Sequence, residues 1–487
     1  MKPISRLAAV AALATAQPSL AQPAAPPADP EAILAEAGAG TRWGMVIADE
    51  AGREVLAIAP DARFIPASNT KVFTTAATLW AVHRSELPEA GNGGARVRLE
   101  PARRGRAPTV VLEGRGDARM SAAPDCVSNC LAALADAVAA RTRKVSGVIG
   151  DATLFPDQRW SPGMSWNNIP TRSGTGIAAL VVDDNEVALT VTPGAAGAAP
   201  AVALPDYFTL ENHALTVPGE ASELAIERAP GGRTVILSGT IGAAAKPETL
   251  RLGIDDPAHY AAWRLAAMLR ARGVKVGGRV TSRYRPLLPG DDPAKRDPAA
   301  GHAPPQVPAL AALVPGPLGE DVALVNKVSQ NLHADLLLRR LGLVRGTGSL
   351  ADGQAMVRAM LAEAGVAEGA VSLSDGSGMS TYNRVSPRGM VTLLAWIARQ
   401  PWGAAFRETL PIAGRDGTLA RRFAGTALEG RLFAKTGTLN ASNALAGWLT
   451  AASGRTLTFA IYANDVPEDV RATEFMDRAL LAVAAAN

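Results

Sequence analysis

The sequence predicts a mixed α/β (α+β) fold in which strands and helices from the two ends of the chain build one domain and mostly-β domains are inserted between them. Three stretches carry this expectation. Ser68 to Val82 has helical periodicity, with Val72, Ala76 and Leu79 on one side. From about Asn92 to Arg285 the texture becomes short alternating strands, such as Val187 to Val191, parted by Gly/Pro turns at Pro193-Gly194 and Pro230-Gly231-Gly232. After Pro308 helices dominate, until two apolar strands, Ala444 to Thr450 and Leu457 to Tyr462, and a terminal helix from Pro467 to about Ala486.

Taken in order, the elements suit an exported chain of two or three domains, since 487 residues exceed one ordinary core. Lys2 and Arg6, the apolar stretch Leu7 to Ala14 and the small residues of Ser19-Leu20-Ala21 read as an export signal, with cleavage after Ala21. The apolar run is well short of the roughly 20 residues a bilayer needs, and no other stretch could span a membrane. Ala24 to Pro30 reads as a Pro/Ala tether. Gly44 to Ile58 reads as a hairpin, with Met45-Val46-Ile47 and Val55 to Ile58 around the polar turn Asp49 to Gly52. One amphipathic helix, Pro257 to Arg272, interrupts the β-rich middle, with Ala261, Leu265, Met268 and Leu269 as its apolar face. Pro286 to Pro308 lacks periodicity and reads as a linker or exposed loop that marks the return to the first domain.

Composition excludes some partners. The formal net charge of +4 leaves no footprint for nucleic acid or an anionic membrane surface. The two cysteines, Cys126 and Cys130, have helical i, i+4 spacing, and an oxidising compartment would permit them to pair or leave them as two buried thiols. Neither a second cysteine pair nor a close histidine pair completes a metal site, and no cofactor is expected.

Hydrolysis of an amide needs a nucleophile, a base, a proton relay to the leaving amine and donors for the oxyanion. No Gly-x-Ser-x-Gly occurs, and the five histidines lie in no recognisable triad setting. Pro66-Ala67-Ser68-Asn69-Thr70-Lys71 opens a helix, so Ser68 and Lys71, at i and i+3, share a face and can meet. The helix N-terminus favours negative charge on an attacked carbonyl oxygen, and burial can lower the Lys71 pKa enough for it to act as base. In Ser329-Gln330-Asn331, the Ser329 hydroxyl can shuttle a proton and the Asn331 amide can hold a substrate peptide group. Lys435-Thr436-Gly437-Thr438 precedes the strand pair; Gly437 on an edge strand would let substrate backbone approach. Lys435 and the hydroxyls would bind a terminal carboxylate, and the Thr438 N–H would complete an oxyanion hole. Each motif alone has an ordinary explanation as a helix start, a cap or a strand; the three in this order do not.

Ser-x-x-Lys, Ser-x-Asn and Lys-Thr-Gly are the signature set of penicillin-binding proteins and class A β-lactamases. The chain closely resembles the penicillin-binding protein 4 type, the D-alanyl-D-alanine carboxypeptidase/endopeptidase family of serine peptidases. Pro66 to Leu79, Asn326 to Leu338, Asp375-Gly376-Ser377-Gly378-Met379-Ser380 and Lys435 to Thr438 look like that family's blocks. The resemblance implies a transpeptidase/β-lactamase-like core of antiparallel sheet with flanking helices at 30–91 and 293–487. It further implies one inserted domain at 92–165 and 255–292 and a β-rich one at 166–254. It implies that Ser68 attacks the penultimate D-Ala of peptidoglycan stem peptides, with Lys71 as base and Ser329 as shuttle. Asn331, Lys435, Thr436, Gly437 and Thr438 would bind substrate, β-lactam antibiotics would acylate Ser68, and the enzyme would act in the periplasm. A homodimer is left open. The class A Glu-x-x-Leu-Asn loop is not found around Glu363, Glu368 or Glu408, so a lactam ester should persist. Competing readings are a catalytically silent peptidoglycan-binding module and a β-lactamase or esterase on the same core. Gln330 stands where Asp is commoner, His333 where Tyr is frequent, and Thr381 where relatives often show Arg. Asp375 and Ser377 are expected to shape a cleft loop, and His333 to pack near the cleft.

Overall fold

The computed structural model describes residues 29–91, 93–101, 106–297 and 307–487. The export signal and most of the tether lie outside these residues. At the tether's end Pro30 already begins a helix, Pro30–Ala35, capped by the Asp29 carboxylate, which accepts from the Glu31 N–H at 3.0 Å. Proline at a first helical position gives up only an N–H that would have no partner there.

The core is a five-stranded antiparallel sheet made from both ends of the chain. Its order is Leu432–Leu439, Ser442–Thr450, Thr456–Asn464, Arg42–Ala48, Glu54–Ile58. The expected hairpin supplies the last two strands, and its turn is fixed by Asp49, whose Oδ1 accepts from the Ala51 and Arg53 N–H groups. Arg42–Ala48 has sheet neighbours on both sides and helices on both faces, which explains why Met45-Val46-Ile47 is a continuous apolar run rather than an alternation. Met45 and Ile47 pack with Ile33, Met476 and Leu480 of the terminal helices. Val46 points the other way, into a layer with Val72, Phe73, Trp80, Leu337, Leu341 and Met390.

The C-terminal helix spans Ala472–Ala486 and not the whole stretch from Pro467. Val470 N–H donates to Pro467 O to close a turn, and Arg471 has non-helical backbone angles, so the helix starts five residues late.

Between the two halves of the core lies a long insertion. Its largest sheet has the order Val280–Arg285, Gly147–Pro156, Thr109–Glu113, Arg96–Glu100, Ala311–Ala312. Gly147–Pro156 runs parallel to both its neighbours. Parallel neighbours need long crossovers, and helices Leu131–Arg141 and Pro257–Ala271 lie in them. This corrects the expectation of a single helix in a mostly-β middle; the Ala-rich Leu131–Arg141 segment is the one overlooked. Two smaller sheets follow, one of Glu248–Gly253, Glu186–Thr192 and Ala201–Ala203, the other built around Thr234–Gly242. The stretch expected as a linker is partly anchored: Arg285 donates to both oxygens of buried Asp291 at 2.9 Å, and Ser349 Oγ donates to Asp291 O at 2.6 Å.

Cys126 and Cys130 form a disulfide with Cα atoms 5.8 Å apart. The bond does not lie on a helix face, as the spacing suggested. Cys130 is the extended N-cap of helix Leu131–Arg141, so the bridge closes the turn that leads into it.

One side chain ties the sheet to the segment ahead of the first motif. Asn464 Oδ1 accepts from Ile65 N–H at 2.7 Å and Asn464 Nδ2 donates to Ile65 O at 3.1 Å. Asn464→Ala leaves two backbone groups unpaired, each costing roughly 1–3 kcal/mol where water cannot replace the partner. We expect a lower urea midpoint and slower acylation by penicillins; unchanged values for both would show that the pin is dispensable.

Candidate active site

The three motifs meet where helix Thr70–His83, the junction of two later helices and the edge strand Leu432–Leu439 converge. Ser68 lies in a short 3-10 turn, Ala67–Asn69, just before the helix. Ala67 has φ +46, a left-handed conformation rare for a residue with a side chain, so the chain turns sharply as it presents Ser68. Ser68 is half-buried, whereas Lys71 and Lys435 are wholly buried.

Lys71 Nζ has three partners: Ser68 Oγ at 2.8 Å, Asn331 Oδ1 at 2.7 Å and Ser377 O at 2.5 Å. Two of these oxygens can only accept, while the hydroxyl can also donate. With all three N–H groups present Nζ donates to all three oxygens; once one proton is lost, two donors still serve Asn331 and Ser377 and the lone pair is free for the Ser68 proton. Burial lowers the Lys71 pKa to about 8 against the opposing pull of Asp335 and Asp375. The neutral form is therefore reached near neutral pH.

Ser329 and Asn331 sit on either side of a helix junction. Helix Leu318–Val328 ends with Ser329 as its cap in a left-handed conformation (φ +62, ψ +40), and helix Asn331–Arg345 begins two residues later. Gln330 is the N-cap of the second helix, its Oε1 accepting from Leu332 N–H at 3.0 Å. That is a physical reason for a non-Asp residue here, because capping needs only a side-chain oxygen. Asn331 Nδ2 donates to Ser173 O of the insertion at 3.2 Å, so both ends of its amide are engaged.

Lys435 Nζ donates to Ser329 Oγ at 3.0 Å and to Thr436 O at 2.9 Å. Burial, and secondarily the nearby Lys71, hold its pKa well below the usual lysine range. Thr436 Oγ1 is 2.7 Å from Thr418 Oγ1, and Thr438 is exposed at the sheet edge. Gly437 has a structural use beside the expected one. A Cβ there would lie 2.5 Å from Pro66 O and 3.1 Å from Asn69 N, so the missing side chain lets the strand sit against the residues flanking Ser68. Asn69 Nδ2 donates to Lys435 O at 2.7 Å and locks that contact.

Asp375 shapes a loop, as expected: it accepts from Gly378 N–H at 2.8 Å, Ser380 N–H at 2.6 Å and Asn383 Nδ2 at 2.8 Å. Sequence reasoning missed that the carbonyl of Ser377 is a partner of Lys71. A signal existed in Gly378, which has φ +90 and whose Cβ would lie 1.9 Å from Ala67 O. The insertion's contribution was also missed, since no motif marks it. Ser380 Oγ donates to Pro162 O at 2.5 Å, and Thr381 N–H and Oγ1 both bond Gly163 O, at 3.0 and 3.1 Å. A cavity of about 140 Å³ adjoins the site, lined by Arg172, Ser173 and Glu186 of the insertion and by Val328 to Asn331.

Comparison with known proteins gives the family and the fold. The D-alanyl-D-alanine carboxypeptidase of an Actinomadura strain is 32% identical over 457 residues, covering 90% of this chain and 80% of the relative. D-alanyl-D-alanine carboxypeptidase DacB of Haemophilus influenzae is 27% identical over 368 residues, 72% of each chain. The crystal structure of penicillin-binding protein 4 from Haemophilus influenzae superposes with a TM-score of 0.74 at 22% identity, covering 92% of this chain and 98% of that one, which establishes the shared fold. The profile of the D-Ala-D-Ala carboxypeptidase 3 (S13) family matches residues 28–484. A chain matched over nearly its whole length, with this arrangement of elements, belongs to that family of serine peptidases.

Proposed function

We propose that the protein is a serine-type D-Ala-D-Ala carboxypeptidase, with DD-endopeptidase activity on cross-links, that acts on peptidoglycan stem peptides in the periplasm after export. The observation that carries this reading is the buried Lys71 amine 2.8 Å from Ser68 Oγ, with its other two partners both acceptors. Lys71 takes the Ser68 proton as the hydroxyl oxygen attacks the penultimate D-Ala carbonyl. The carbon–nitrogen bond then breaks, the leaving nitrogen receives a proton by way of the Ser329 hydroxyl, and the acyl group remains on Ser68. Water attacks the ester in a second step and restores the serine. Asn331 holds the acyl-side peptide group. Lys435, Thr436 and Thr438 receive the terminal carboxylate, whose charge favours the protonated form of Lys435. Gly437 keeps that strand against Ser68.

Among the described residues no helix is long and apolar enough to cross a membrane. A lactam carbonyl occupying the scissile position would be attacked in the same way, and its tethered leaving group would stay in the cleft.

Intact-mass measurement of the mature protein with benzylpenicillin should show one adduct, absent in Ser68→Ala; an adduct on that variant would mean the nucleophile is another residue. Lys71→Ala should keep the urea midpoint and slow acylation by a factor on the order of 10² or more, the usual contribution of a general base. Near-normal acylation would remove Lys71 from that role. Mass spectrometry of defined monomeric and cross-linked muropeptides should show loss of terminal D-Ala and opening of D-centred cross-links. Bound but uncut muropeptides would favour a silent binding module instead.

A further inference from the structure

The insertion grips the second motif at two points. One is Ser173 O on Asn331 Nδ2. The other is a turn in which three consecutive residues, Asp183, Asp184 and Asn185, have φ of +52, +53 and +51. Asp and Asn tolerate left-handed backbone better than other residues with a Cβ, but as single residues and not in runs, so three in succession need contacts that hold them.

Two of the three residues fasten the turn within the insertion. The Asp183 carboxylate accepts from Ala122 N–H at 2.7 Å, Ser121 Oγ at 3.0 Å and Arg264 Nη1 at 2.9 Å. Asn185, fully buried, donates to Gly176 O at 3.0 Å and Ile254 O at 3.1 Å. The middle residue is thereby aimed out of the insertion, and Asp184 Oδ1 meets His333 Nε2 at 2.8 Å. His333 lies in the first turn of helix Asn331–Arg345, two residues past Asn331, and is 1% exposed. Its Nδ1 faces Asp321 Oδ1 at 3.3 Å, in the preceding helix. A carboxylate facing each ring nitrogen favours the form in which both nitrogens donate, the imidazolium.

We propose that His333 is a positioning residue for acyl transfer, a bridge between Asp321 of the core and Asp184 of the insertion's left-handed turn that holds Ser329 and Asn331 in register with the two lysines. The proposal rests on the roles assigned above to those residues. Other charges close on the bridge from each neighbouring element. Arg119 of the insertion is 3.0 Å from Asp321 and pairs with Glu320. Arg340 of the histidine's own helix is 3.6 Å from Asp321, with Asp117 beside it. Glu186 follows in the strand after the turn.

Burial alone would lower the His333 pKa, but the two carboxylate partners outweigh it and raise it to about 9. A raised value means that the charged bridge is complete below the ordinary histidine pKa and is lost as pH rises through about 9. Acylation should therefore rise as Lys71 loses its proton near 8 and fall again above about 9.

The test is the second-order rate of labelling by a fluorescent penicillin from pH 6 to pH 11 in wild type, Asp184→Asn and His333→Gln, with urea midpoints measured alongside. Asp184→Asn keeps an acceptor for Nε2 and removes only charge. We expect its alkaline limb to move down by about one pH unit. His333→Gln should label about tenfold more slowly at pH 7 and lose the limb. An alkaline limb at the same pH in Asp184→Asn would overturn the proposal, because a limb set by Lys435 would not respond to Asp184. A lowered urea midpoint with an unmoved limb would likewise reduce His333 to a structural part. Failure of the underlying assignment would look different: Ser68→Ala would still label.

Discussion

The arrangement depends on one buried amine. Lys71 Nζ has no access to water and draws its partners from three distant parts of the chain: Ser68 beside it, Asn331 across the insertion, and the Ser377 carbonyl. A buried ammonium is expensive unless its protons are satisfied; the three oxygens here can accept all three, and it is burial that pulls the amine toward its neutral form. Such a group reports whether the pieces are together. If the 375–380 loop or the Asn331 helix moved, the amine would lose an acceptor, and its tuned basicity with it. The remaining devices of the site serve to keep that meeting point fixed: the glycines at 378 and 437 that admit backbone against Ala67 and Pro66, and Asn464 holding Ile65.

The second lysine extends the same logic. Lys435 is buried like Lys71, bonds Ser329, and has its pKa pushed down by lack of solvent. An arriving carboxylate would oppose that shift and favour the protonated amine. On this account substrate binding and proton placement are linked, because the group that binds the anion also touches the hydroxyl proposed as relay.

Much of this was legible in the sequence, for reasons that can be named. The Ser68 helix, the hairpin at 44–58 and the last strand pair were readable because period and turn chemistry act locally. Ser68, Lys71, Ser329, Asn331 and Lys435 were readable because amide chemistry restricts residue types, and three such motifs in order rarely coincide. What could not be read was supplied by backbone and by long-range contact. The Ser377 and Ser173 carbonyls carry no side-chain signature, and the left-handed run at Asp183 to Asn185 contains no glycine to announce it. Gly437 was read as room for substrate, and its close approach to Pro66 O was not foreseen. The disulfide was one of two states the sequence left open, and its geometry was not legible: i, i+4 spacing suits a helix face, yet the bridge closes a turn ahead of one.

The protonation state of Lys71 is the most direct test of the account. With lysine side chains labelled at the ε carbon and Lys71 assigned by comparison with Lys71→Arg, the free protein should show that resonance titrating with a midpoint close to pH 8, while exposed lysines titrate about two units higher. A Lys71 signal that stays in its protonated position through pH 10 would contradict the account, because the amine would then hold no lone pair for the Ser68 proton.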